Sequence, residues 1–208
     1  MKPRHCALAI SLSSALMLFS LPAAHAVPMT FTTTLSAANE VPPNASPGTG
    51  FVTVVLDPTA QTLQLNVTFS GLTGPATAAH IHCCLLSGGG PNLQVATAVP
   101  SFPGFPLMMG TSGSYTSPVF DLSQPPIYNP TFITNEGGIQ NAEAAFIAAI
   151  VNGQSYFNIH TAANPGGEIR GQLAAVPLPT ALPLFATGLG ALGLLGWRRK
   201  RKAAQGIS

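Results

Sequence analysis

Charged side chains are scarce in this chain: Asp, Glu, Lys and Arg make up 7% of its 208 residues, against roughly 25% in ordinary soluble domains. Cations are scarcer still in its middle. Between Val27 and Val176 the only Lys or Arg is Arg170, set against Glu40, Asp57, Asp121, Glu136, Glu143 and Glu168. One cation against six acids leaves that stretch at −5, so the overall +2 belongs to the two ends. An acidic surface repels phosphate backbones, which argues against nucleic acid as a partner. There is no P-loop to cradle a nucleotide and no Gly-x-Ser-x-Gly elbow to present a serine nucleophile. Cysteine is nearly absent too, with three in the whole chain. Cys6 lies near the N-terminus, and Cys83 and Cys84 are neighbours, from which no ordinary disulfide framework can be built. Four states are open to that pair: a vicinal disulfide, a bridge to another chain, soft metal ligands, or two small apolar residues at a strand end.

The ends carry what the middle lacks. Residues 1–26 read as a secretory signal peptide. Lys2 and Arg4 form the positive start, residues 7–21 are mostly apolar, Pro22 breaks the helix, and Ala24-His25-Ala26 offers a small-residue cleavage pattern with the cut after Ala26. This predicts export through the general secretion machinery. Residues 178–197 contain no charge, and a helix of that length reaches about 30 Å, the thickness of a bilayer core. Arg198, Arg199, Lys200, Arg201 and Lys202 follow at once. Such a cluster stays cytoplasmic, which places the domain outside the inner membrane on a C-terminal transmembrane helix.

Val176-Pro177-Leu178-Pro179, the apolar span and the basic cluster come in that order over residues 176–202. They resemble the PEP-CTERM sorting signal of bacterial surface proteins, with Leu178 where that motif usually has Glu. The resemblance implies an exosortase-like enzyme as partner, and a protein tethered in transit and then delivered to the cell surface or the medium. A plain tail anchor is the alternative.

Residues 27–175 alternate short apolar stretches with Gly, Pro, Thr and Asn, the pattern of an all-β sandwich or barrel. Strands are expected at 30–37, 50–56, 62–70, 76–82, 93–98, 113–120, 155–161 and 168–174. Leu63, Leu65, Val67 and Phe69 alternate with polar residues, as a half-buried strand requires. Asp57-Pro58-Thr59-Ala60 is a turn, because proline presets φ and aspartate caps it. One short helix is expected at 141–151, capped by Asn141, with Glu143 in its first turn, Gly153 just past its end, and Ala144, Ile147, Ala148 and Val151 as its buried stripe. The expected fold is an antiparallel, Greek-key-like sandwich of about eight strands.

Four segments of this domain resemble the CHRD domain, a module first described in chordin. They are Leu35-Ser36-Ala37-Ala38-Asn39-Glu40-Val41-Pro42-Pro43; Gly71-Leu72-Thr73 with Ala78-Ala79-His80-Ile81-His82; Tyr156-Phe157-Asn158-Ile159-His160-Thr161; and Asn164-Pro165-Gly166-Gly167-Glu168-Ile169-Arg170-Gly171-Gln172-Leu173. Together they extend over residues 31–174. The chain departs from the family in having Cys83-Cys84 after His-x-His, where glycine is frequent, and in a Pro- and Met-containing loop over 100–109.

Three histidines remain after signal removal: His80, His82 and His160. Side chains alternate along a strand, so His80 and His82 share one face with Cα atoms roughly 6.5–7 Å apart, a spacing that suits one metal ion. Asn158 and His160 share the polar face of a second strand, and Glu168, Arg170 and Gln172 are expected outward on a third. If the three strands are neighbours, the histidines converge, with Glu168, Cys83 or Cys84 as further candidate ligands for zinc or copper. The competing expectation is a structural polar cluster of Glu40, Asn158, Glu168 and Arg170, with Arg170 paired to Glu168 or Glu40. Three functions follow: a non-enzymatic envelope surface or matrix component, a copper- or zinc-binding envelope protein, and a small metal-dependent redox or hydrolytic enzyme.

Overall fold

The computed structural model describes residues 27–84, 92–177, 190, 192–195 and 197. The expected signal peptide with Ala26, the motif residues Leu178 and Pro179, and the basic residues Arg198, Arg199, Lys200, Arg201 and Lys202 lie outside them. Val176 and Pro177 are exposed at the end of the domain. Among the described residues no helix is long and apolar enough to cross a membrane. Most of the expected span, 178–197, falls outside that set.

Ten strands follow one another: β1 (Met29–Ser36), β2 (Thr49–Asp57), β3 (Thr62–Ser70), β4 (Ala76–Cys83), β5 (Gln94–Val95), β6 (Gly113–Thr116), β7 (Phe120–Asp121), β8 (Ser155–Thr161), β9 (Ile169–Gln172) and β10 (Ala174–Ala175). They form one continuous antiparallel sheet in the order β5-β4-β8-β9-β1-β2-β3-β6, with β10 on β1 and β7 on β3. The strand count exceeds the expected eight because the 113–120 stretch divides into β6 and β7, and β10 separates from β9. The 93–98 stretch yields only the two residues of β5.

Alternation drives this assembly. Val52, Val54 and Leu56 of β2 and Leu63, Leu65 and Val67 of β3 are almost wholly buried. Each such side chain is worth about 1.5–3 kcal/mol when taken out of water. The sheet curls so that its distant strands share one core. Phe105 stacks on Phe69 of β3, with centroids 5.8 Å apart, and also meets Phe157 of β8 at 6.4 Å. Phe102 and Phe105 come from the 100–109 loop and are 1% and 6% exposed, so a segment that reads as an appended loop in fact fills the core. At the β2–β3 turn Asp57 Oδ1 accepts from the amides of Thr59 and Ala60, as expected.

Two helices form where one was expected. The short α1 (Pro130–Asn135) starts with proline in its first turn, and the Asn129 side chain accepts from the Thr131 amide. The longer α2 (Ile139–Val151) begins two residues before Asn141, with Gly138 as its cap. That earlier start corrects its phase. Ala142, Phe146, Ala149 and Ile150 face inward, whereas Ala144, Ala148 and Val151 are exposed and Ile147 only part-buried. Phe146 and Ile150 have the larger apolar surfaces, so burying them outweighs burying alanines. Glu143 consequently lies inward, bonded by Gln61 Nε2 at 2.5 Å. Gly153, at φ 66°, follows the helix end as expected.

Candidate metal centre

The sheet order makes β4, β8 and β9 neighbours. Register then sets the site: His80 opposes Asn158, His82 opposes Tyr156, and Ala78 opposes His160 on β4 and β8, while Arg170 on β9 opposes Asn158. Because strand side chains alternate between faces, His80, His82, Tyr156, Asn158, His160 and Arg170 share one face. The three imidazoles converge there. Ring centroids are 5.1 Å apart for His80 and His160, 5.7 Å for His80 and His82, and 6.1 Å for His82 and His160. One nitrogen from each lies within 4.8 Å of the other two. Two nitrogens on one ion at 2.0–2.1 Å stand no more than about 4 Å apart, so shifts of roughly an ångström gather all three.

Hydrogen bonding fixes how the rings present themselves. His82 Nδ1 lies 2.9 Å from the Leu93 carbonyl, and His160 Nδ1 lies 2.9 Å from the Pro165 carbonyl. A carbonyl only accepts, so both Nδ1 atoms carry the proton and both Nε2 atoms keep a lone pair. Those two Nε2 atoms, and both ring nitrogens of His80, are buried with no hydrogen-bond partner among the described residues. Burial, reinforced by the neighbouring imidazoles of His160 and His82, pushes the His80 pKa down to about 3, against an opposing pull from the Pro100 carbonyl. Burial brings His82 to about 4, the Leu93 carbonyl resisting and His160 and Arg170 assisting. Burial lowers His160 as well, against the Pro165 carbonyl. All three are neutral at pH 7, and an arriving cation has no proton to displace.

The other candidate ligands are elsewhere. Cys83 and Cys84 are joined as a vicinal disulfide. Cys83 belongs to the buried core and, being adjacent to His82 in β4, faces the opposite side. Neither sulfur offers a thiolate. Glu168, expected outward and near the histidines, is fully buried. It precedes β9 and turns its carboxylate to Thr161, which lies on the opposite face of β8 from His160. Ser46 Oγ (2.5 Å) and the Thr73 amide (2.6 Å) and hydroxyl (2.8 Å) complete its donors. Burial alone would raise the Glu168 pKa, but the bonds from Ser46, Thr161 and Thr73 together hold it below the usual carboxylate value.

The structural cluster divides accordingly. Arg170 pairs with Glu40 at 3.8 Å, not with Glu168. It also donates to the Asn39 carbonyl at 2.6 Å and to Asn92 Oδ1 at 2.8 Å, and covers the Tyr156 ring at 4.6 Å. Glu40 Oε1 accepts from Asn158 Nδ2 at 2.7 Å. Burial raises the Glu40 pKa to about 7 despite Arg170 and Asn158, which both lower it. Gly167 sits against this pair at φ 131°, and any Cβ there would come within 2.6 Å of Asn158 Nδ2 and 2.7 Å of Glu40. Sequence reasoning missed Tyr156 and the Leu93 and Pro165 carbonyls. The period-two series Tyr156, Asn158, His160 held the signal for the first, whereas the carbonyls belong to loops with no periodicity to read.

No curated protein and no solved structure matches the chain. The family model of the CHRD domain matches residues 31–173. The chain belongs to the CHRD family.

Proposed function

We propose that this CHRD family member is a non-enzymatic, metal-binding protein of the bacterial envelope that holds copper or zinc through His80, His82 and His160. One observation carries the reading: four buried imidazole nitrogens lack partners among the described residues, and one from each ring meets the others within 4.8 Å. An unsatisfied buried polar atom costs about 1–3 kcal/mol. A single cation accepting three lone pairs removes that cost for three of the four, leaving one nitrogen of His80, and an all-imidazole set suits copper or zinc. The two carbonyl-bound Nδ1 atoms match the outer-shell bonding that orients metal-ligating histidines.

The absence of catalysis is part of the proposal. Among the described residues no hydroxyl or thiol is hydrogen-bonded to the three imidazoles, so no nucleophile–base pair is assembled there. Export rests on the sequence ends: residues 1–26 for the general secretion machinery, and 176–202 for an exosortase-like enzyme that passes the protein from the inner membrane to the surface or medium. The net charge of −5 between Val27 and Val176 keeps nucleic acid out of the list of partners. A metal-free surface or matrix component is the second reading. It is favoured by Glu168 and Arg170, whose hydrogen bonds are already satisfied within the fold.

Elemental analysis of the purified protein, beside a variant with His80, His82 and His160 all replaced by alanine, tests the choice. About one equivalent of copper or zinc that disappears in the variant supports the metal reading. An apo protein that stays apo after dialysis against either ion leaves the structural reading in its place. Intact mass tests the sorting step, since a retained 198–202 cluster contradicts removal of the tail.

A further inference from the structure

Asn158 stands directly across from His80 in the β4–β8 register. It is 2% exposed, and its Nδ2 donates to Glu40, but its Oδ1 is buried without a partner among the described residues. His80 is in the converse state, with both ring nitrogens buried and neither bonded among the described residues. A neutral imidazole always has one N–H and one lone pair. When its lone pair goes to an ion, its N–H still needs an acceptor. His82 and His160 have theirs in the Leu93 and Pro165 carbonyls. Among the described residues His80 makes no such bond: the Pro100 carbonyl, which pulls its pKa up, already accepts from the Ala79 amide at 3.1 Å. Once the lone pairs of His82 and His160 go to the ion, the unpartnered acceptor left on this face is Asn158 Oδ1.

We infer that Asn158 is the positioning residue of His80: its Oδ1 accepts the N–H of the His80 nitrogen that does not ligate, and so completes the outer shell of the site. This rests on the metal reading above. The amide has no freedom to serve otherwise. Glu40 takes its NH2 end and is itself paired with Arg170, and the missing side chain at Gly167 leaves room for that bond, so Oδ1 is left on the other side. A continuous line of contacts thus runs from Arg170 through Glu40 and Asn158 to the metal ligand. What reads in sequence as a structural cluster becomes the support of the ligand set.

The test uses Zn(II) as a diamagnetic probe, with affinities from chelator competition for the wild type, Asn158→Leu and Asn158→Asp. Outer-shell partners typically matter 10–100-fold in affinity, so Asn158→Leu is expected to bind about that much more weakly. Asn158→Asp keeps an acceptor beside His80, a proton shared between its carboxylate and that of Glu40 taking the place of the 2.7 Å amide bond, and is expected to stay within about threefold of wild type. A purely architectural Asn158 gives no such order, Asp and Leu being equally impaired, and that result overturns the role. Nitrogen-15 histidine spectra of the zinc-loaded wild type read the bond itself and need no variant to fold: His80 should show a hydrogen-bonded, slowly exchanging ring N–H. Its absence, or Asn158→Leu binding as tightly as wild type, overturns the role of Asn158 and leaves the metal site standing. A wild type that takes up neither zinc nor copper overturns both.

Discussion

The imidazole of His82 lies flat on the phenol ring of Tyr156, with centroids 4.6 Å apart and planes 13° from parallel. The ring is therefore held by its face as well as by its Nδ1 bond to Leu93. Aromatic pairs contribute about 0.5–1.5 kcal/mol beyond their buried area. Tyr156→Leu should free His82 to rotate and weaken Zn(II) binding by about tenfold. Tyr156→Phe keeps the stack and should bind as the wild type does. Chelator competition on the two variants separates stacking from the hydroxyl, and equal loss in both contradicts a stacking role.

Ligand binding to the native state alone must raise its stability. At a free Zn(II) concentration 100 times Kd the gain is about 2.7 kcal/mol. For a domain of this size that is a rise in Tm of about 5–10 °C. His82→Ala should abolish most of the rise, whatever it does to the metal-free Tm. Thermal scans with and without the ion, in both proteins, give the comparison. A shift that survives in the triple histidine variant would place zinc elsewhere.

Glu168 tests the division between ligand and scaffold. Glu168→Gln puts an amide donor among groups that already donate to the carboxylate, namely Ser46, Thr73 and Thr161. The expected loss is about 2–4 kcal/mol of folding stability, given about 1.5–3 kcal/mol for a single bond to a charged group. Metal stoichiometry should not change, since Glu168 faces away from the histidines. Denaturant unfolding and elemental analysis on one preparation check both halves.

Glu40 gives a pH signature. Its folded pKa of about 7 lies above its ordinary 4.5, so the native state holds the proton more tightly than the unfolded chain does. The stability it contributes is complete below pH 4.5 and declines as pH rises towards 7, by up to about 3 kcal/mol. The three histidines act with the opposite sign. They are neutral when buried and charge on unfolding, so their contribution is complete above pH 6.5 and falls as pH drops. Subtracting the Glu40→Gln curve from that of the wild type isolates the first effect, because Arg170, Asn158 and the histidines are common to both. A flat difference between pH 4.5 and 7 would contradict the raised Glu40 pKa.

Much of this site is legible in sequence, because strands write their geometry in period two. His80 and His82 had to share a face, and Asn158 and His160 had to share another; adjacency of β4 and β8 then brought them together. Glu168 escaped that logic because Gly167, at φ 131°, breaks the alternation just before β9 begins. The helix phase was misread for a related reason. Alanines fit either face, and only the bulk of Phe146 and Ile150 decides which one packs. Phe102 and Phe105 could not be assigned from pattern at all, since an irregular loop reaches the core without a repeat to announce it.

The pairing of β4 with β8 also has a kinetic side. His82 and His160 are separated by about 80 residues, and closing a loop of that length carries an entropic cost that local structure does not repay in advance. A chain that has made only its first four strands owns two of the three imidazoles and no cage. On the proposed reading, ion capture would wait until β8 pairs with β4, so a bound metal would report that the C-terminal half has docked. For a polypeptide that crosses a membrane before it folds, that order of events would keep the site vacant during passage and let it fill at the destination.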